Sequence, residues 1–166
     1  MSRNEVLKGR YAAIAEPPFV VFLIGIRINR LLAVNRWLPT LREMPRMLKE
    51  LAQDPDSGLM GHYTALYWRG AVVTQYWRSF EALERFARDT SGPHWPAWKR
   101  FYQSARDDGS VGIWHETYRI EPGGYETIYG NMPAFGLGAA AGARELKDLR
   151  RARARFTDGD KDSAGG

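Results

Sequence analysis

Apolar residues run almost unbroken from Phe19 to Asn29, with Val, Ile and Phe dominating. A run of this kind predicts a strand buried on both faces, and Gly25 inside it would let another backbone or a ligand come close. The pattern then changes period. Between Trp37 and Leu51 the apolar positions are Leu38, Leu41, Met44, Leu48 and Leu51, a three-and-four spacing that lays one stripe of a helix against a sheet. Pro39 suits the first turn of that helix, Pro45 predicts a kink, and the turn signal from Asp54 to Gly58 stops it.

Leu59–Trp68 and Val72–Trp77 read as two strands of a hairpin, with Arg69, Gly70 and Ala71 between them. Alternation on the first strand puts Met60, His62, Thr64, Leu66 and Trp68 on one face, and Tyr63 and Tyr67 on the other. Ser79 is an N-cap, Glu81 sits in the positive first turn, and Ala82, Leu83 and Phe86 form the buried stripe of a second helix. Thr90 to Pro93 interrupts it, helical spacing resumes from Trp95 to Ala105, and His94 is left at a helix start. Val111–Ile120 is the last core strand, with Ile113, His115 and Thr117 on one face and Trp114, Glu116 and Tyr118 on the other.

The order is β, α, β, β, α, β, which predicts an α+β, ferredoxin-like unit of four antiparallel strands with both helices on one face. The opposite face would be an exposed apolar patch, so pairing of two such sheets in a homodimer, a dimeric α+β barrel, is the expected cover. The chain divides into a lead at 1–18, the barrel domain at 19–121, an aromatic and glycine-rich arm at 122–142, and a charged helix with a disordered tail at 143–166. The helical pattern itself runs from Ala139 to Phe156. The arm carries Tyr125, Tyr129, Met132 and Phe135, which suits a segment laid over a pocket mouth or a neighbouring subunit rather than a linker.

At 166 residues and 44% hydrophobic content, the chain can bury the core of one domain. It has no cysteine, which excludes disulfides, thiolate metal sites and cysteine nucleophiles, and favours a cytoplasmic home. The net charge of +5 owes much to the arginines between Arg144 and Arg155, which form no stripe interleaved with aromatics, so no nucleic-acid partner is expected. The run from Phe19 to Ile28 is too short to span a bilayer, and no membrane partner is expected either.

The chemistry rests on three histidines. His115 lies mid-strand between Trp114 and Glu116: it is a buried histidine bonded to a carboxylate or carbonyl, a base that takes a proton from an acidic carbon or phenol, or an axial haem ligand. His94 at a helix start is kept neutral by the helix dipole and is either a packing residue beside Pro93 or a second base. His62 alternates with apolar neighbours and could join either. No short ligand spacing links the three, so no metal site is expected. Trp77, Trp98 and Tyr63 are candidate pocket walls. Asn131, within the arm, is a turn residue or a donor to a substrate oxygen.

The segments Tyr76–Glu84, Pro93–Trp95 and Ile113–Tyr118 resemble the antibiotic-biosynthesis-monooxygenase superfamily. Met44–Leu51, Gly112–Tyr118 and Ile128–Gly138 are similar, more narrowly, to its monooxygenase-like DUF4188 family. The resemblance covers about Val20 to Gly138. It implies a dimeric α+β barrel whose members oxidise aromatic polyketides without metal or flavin, bind haem, isomerise lactones or only bind ligands. His94 matches one histidine of the superfamily pattern, and Phe86 stands in the region of the other. The function implied is a histidine-assisted monooxygenase acting on a hydrophobic, aromatic or polyketide-like molecule of secondary metabolism, with no cofactor. The alternatives are a haem-holding protein of the aldoxime-dehydratase type, with His94 or His115 as axial ligand, and a non-redox isomerase, cyclase or ligand-binding module.

Overall fold

A strand that is apolar on both faces needs a layer against each, and the chain supplies both. The computed structural model describes residues 5–52, 54–90, 95–96, 99 and 109–146. In chain order its elements are β1 (Leu7–Ala13), β2 (Phe19–Ile28), α1 (Val34–Ala52), a single helical turn at Pro55–Ser57, β3 (Leu59–Tyr67), β4 (Gly70–Trp77), α2 (Phe80–Arg88), β5 (Val111–Ile120), β6 (Tyr129–Met132), α3 (Gly136–Ala141) and β7 (Ala143–Glu145). The larger sheet has the order β3-β4-β2-β5 with every neighbouring pair antiparallel. This is the ferredoxin-like arrangement that the element order predicts. Of the helical stretch expected from Trp95 to Ala105, Trp95, Pro96 and Lys99 are helical and the other residues lie outside those described.

On one face, Ile24, Ile26 and Val73 pack with Trp37, Leu41 and Leu48 of α1, while Val20 and Trp77 pack with Leu51, Leu83 and Phe86. The helix α1 begins before Trp37, so Pro39 and Pro45 both lie inside it. Each removes one backbone hydrogen bond, and burial of the Trp37–Leu41–Leu48–Leu51 stripe outweighs that cost. The Ser79 hydroxyl caps α2, accepting from Ala82 N–H at 3.2 Å. The hairpin turn is tighter than its glycine suggests: Trp68 and Arg69 form it, Arg69 takes a positive φ of 57°, and Gly70 already pairs with Arg27. A side chain at Gly70 would meet the carbonyl oxygen of Ile26 at 1.9 Å, so glycine is needed there for close strand contact rather than for the turn.

The other face of the sheet is partly covered by the chain itself. The lead forms β1, which pairs with β6 on one side and β7 on the other in a three-stranded sheet. Together with α3, this layer buries Ala13, Ala15, Phe19 and Leu137 among Val21, Met60, Tyr76, Ile120 and Tyr129. The arm therefore closes over its own sheet. Two sequence expectations change here. A register irregularity between Leu59 and Gly61 places Met60 on this side, away from His62, because one extra residue reverses the parity of a strand. The charged helix expected over Ala139–Phe156 is helical only to Ala141; Gly142, at a φ of 94°, ends it, and Ala143–Glu145 joins β1 as a strand. Residues beyond Leu146 lie outside those described.

Candidate functional site

Residues directly opposite one another in antiparallel strands share a face. On the helix side, one rung of the sheet reads His62, Gln75, Phe22, Thr117 and the next Thr64, Val73, Ile24, His115. A band of polar groups thus crosses a face whose other positions, apart from Arg119 opposite Val20, are apolar. Its most buried member is Gln75, 5% exposed, whose Oε1 accepts from Trp77 Nε1 at 2.9 Å. Trp77 is fully buried against Phe86, with ring centroids 5.5 Å apart. His115 is exposed, and its ring lies 5.8 Å from Phe22 at a 42° tilt.

His62 is on β3 and His115 on β5, the outer strands of the sheet, which puts them roughly 15 Å apart at ordinary strand spacing. They are not a dyad. His62 neighbours Gln75 at one edge, and His115 faces Phe22 at the other. Gln75 lies buried beneath the helices between them, so a molecule reaching this face at the β5 edge would meet the His115 imidazole beside the Phe22 ring. The imidazole best placed to exchange a proton with such a molecule, or to hold a haem iron, is His115, because its ring is open to approach. Among the described residues no group of three His, Cys, Asp or Glu could hold a metal ion. His94 and Trp98 lie outside the described residues.

The structure separates Tyr63 and Asn131 from this band. Tyr63 is on the arm side, stacked on Phe135 at 4.6 Å, beside Tyr76 and Tyr129. The Tyr76 phenol is pushed up to about 12, first by burial and then by the neighbouring Tyr63 and Tyr129, so it is a neutral group at physiological pH. Tyr129 Oη accepts from Gly138 N–H at 3.0 Å. Asn131 has a positive φ of 50°, and its Oδ1 accepts from Gly9 N–H at 2.9 Å. It holds the irregular pairing of β1 and β6, the turn-like role, rather than facing the helix-side band. Trp77 is a core residue that shapes the band from beneath. A separate cleft of about 350 Å³ on the arm side runs along Ala12–Ala15 and Pro122–Thr127 and contains none of the candidates.

Gln75, Phe22 and Thr117 belong to the band and were not singled out by sequence. Gln75 had a readable signal: it is a polar residue at an inward position of the alternating set Val73, Gln75, Trp77.

The profile of the Monooxygenase af470-like family matches residues 19–137, which covers the whole four-stranded sheet, α1, α2 and the start of α3. The chain belongs to this family. Monooxygenase af470 of Aspergillus fumigatus is 30% identical to it over 129 residues, which are 72% of this chain and 45% of that protein. This af470-like chain therefore spans under half the length of that relative. An aldoxime dehydratase solved with butyraldoxime shares its fold at 16% identity, with a TM-score of 0.64 over 92% of this chain and 44% of that one. SnoaB, a cofactor-independent oxygenase of Streptomyces nogalater, aligns at 14% identity over 63% of this chain and 95% of its own, with a TM-score of 0.45. No helix among the described residues is long and apolar enough to cross a membrane.

Proposed function

We propose that this af470-like protein is a cytoplasmic monooxygenase of secondary metabolism that oxidises a hydrophobic, aromatic or polyketide-like molecule on the helix-side face of its sheet, with no cofactor. The observation that carries the reading is the band His62–Gln75–Phe22–His115, in which imidazole and amide groups cross an apolar surface. Membership of a monooxygenase family supports the reaction class. In this mechanism His115 or His94 takes a proton from an acidic carbon or phenol. The electron-rich anion passes an electron to dioxygen, and the two radicals join through a new C–O bond. The O–O bond then breaks: one oxygen stays as a carbonyl, and the other leaves as water with the two hydrogens lost from the substrate. Phe22 packs against the ring, and the buried Gln75–Trp77 pair supports that wall from beneath. The exposed part of the arm-side face, including Tyr118, is read as the contact for a second copy.

The test is oxygen uptake with anthrone- or naphthol-type substrates, with products read by mass. One oxygen atom gained and two hydrogens lost per dioxygen consumed is the expected result. Turnover under strict anaerobiosis would assign the site to an isomerase or cyclase instead, and a Soret band after expression with added haem would assign His115 or His94 to axial ligation.

A further inference from the structure

The end of the sheet at the β3–β4 turn carries the most exposed apolar side chains among the described residues. Leu32 is 97% exposed, Leu66 86% and Trp68 69%, with Leu31 and Val34 beside them. They belong to one surface. Ile28 N–H donates to the Arg69 carbonyl at 2.7 Å, the Arg69 guanidinium donates to the Asn29 carbonyl at 3.0 Å, and Asn29 N–H donates to Ser110 O at 2.9 Å, so the β2–α1 loop, the hairpin turn and the start of β5 meet there. Exposed apolar groups gathered at one end of the molecule, rather than scattered singly, mark an interaction surface.

The two described segments that carry these tips bring charge of one sign. Residues 27–37 and 64–72 contain Arg27, Arg30, Arg36 and Arg69 and no acidic residue. The Arg27 guanidinium lies over the Trp68 ring, 4.2 Å from its centroid, a stack that presents indole and cation together. We infer that this end of the molecule docks on an anionic lipid surface, with Leu32, Leu66 and Trp68 entering the headgroup–acyl boundary and the arginines meeting lipid phosphates and carboxylates. The charge favours an anionic bilayer over a second copy, because two copies meeting here would bring like-charged arginines together. The cytoplasmic leaflet supplies the matching negative charge. This peripheral contact departs from the expectation of no membrane partner, which concerned a spanning segment.

The test is co-sedimentation of the full chain with vesicles of three parts phosphatidylcholine to one part phosphatidylserine, and with phosphatidylcholine alone. The wild type is expected to pellet with the anionic vesicles, more weakly with the neutral ones, and less as salt is raised. Leu32→Ser combined with Leu66→Ser should lower the partition coefficient by about tenfold or more, with an unchanged melting temperature because both side chains already face water. Retention of the wild type in the supernatant with both vesicles, or equal binding by the double variant, overturns the inference. So does a size change in which the double variant turns a dimer into a monomer, since the tips would then be a contact between copies.

Discussion

The two faces of the four-stranded sheet carry similar numbers of polar and aromatic groups and use them differently. On the arm side those groups bond within the chain: Tyr125 Oη donates to the Ala15 carbonyl at 2.5 Å, Trp114 Nε1 to Tyr67 Oη at 2.6 Å, Tyr67 Oη to the Ile26 carbonyl at 3.0 Å, and Tyr129 Oη accepts from Gly138. They tie the arm to the lead, hold the arm's own turn and link β5, β3 and β2 within the sheet. On the helix side, the band is built on a buried Gln75–Trp77 pair and leaves the His115 ring open. A face whose polar groups are consumed by backbone is a joint; one that holds an imidazole open beside aromatic walls is where a substrate can be worked on.

Substitutions can break this contrast at graded cost. Trp77→Ala should be the most severe, since it empties a fully buried indole site and strips Gln75 of its donor; a loss of about 3–5 kcal/mol in denaturant unfolding is expected. Tyr125→Phe, at the joint, should cost about 1 kcal/mol, the worth of one hydrogen bond to a backbone carbonyl. Tyr76→Phe should show its pH-dependent effect in alkali, on top of the cost of losing the hydroxyl's bonds to Leu137 and Tyr63. Because the folded phenol titrates near 12, above its ordinary value of 10, the native state holds that proton more tightly. Its contribution to stability is complete below the ordinary value and is lost as pH rises toward the folded one. The wild type should lose stability over that alkaline window more steeply than Tyr76→Phe, measured by urea midpoints at each pH.

The core unit was legible because its signals are local. The Phe19–Ile28 run, the stripe on α1, the Ser79 cap and the β5 alternation each declare an element within one short window. The second layer was not, because β1 acquires its strand character by pairing with residues over a hundred positions away, and neither Leu7–Ala13 nor Ala143–Glu145 carries a clean alternation of its own. Local charge suggested a helix from Ala139, and over Ala143–Glu145 pairing with β1 overrode it. The site was half legible. His115 and His62 were visible as residue types, but which face each occupies depended on register, and the irregularity near Gly61 moved Met60 away from His62. Tyr63 and Asn131 are aromatic and amide groups of the kind that suit pockets, and the structure places them away from the helix-side face, in a tilted contact with Phe135 and a bond from Gly9.

The most direct test compares one residue from each face in the same oxygen-uptake assay. His115→Gln should lower kcat by about a hundredfold or more, the usual worth of a positioned base, with folding intact because the side chain is exposed. Tyr63→Phe, behind the sheet, should turn over at the wild-type rate. Equal rates for His115→Gln and wild type, or a collapse confined to Tyr63→Phe, would contradict the assignment of chemistry to the helix-side face.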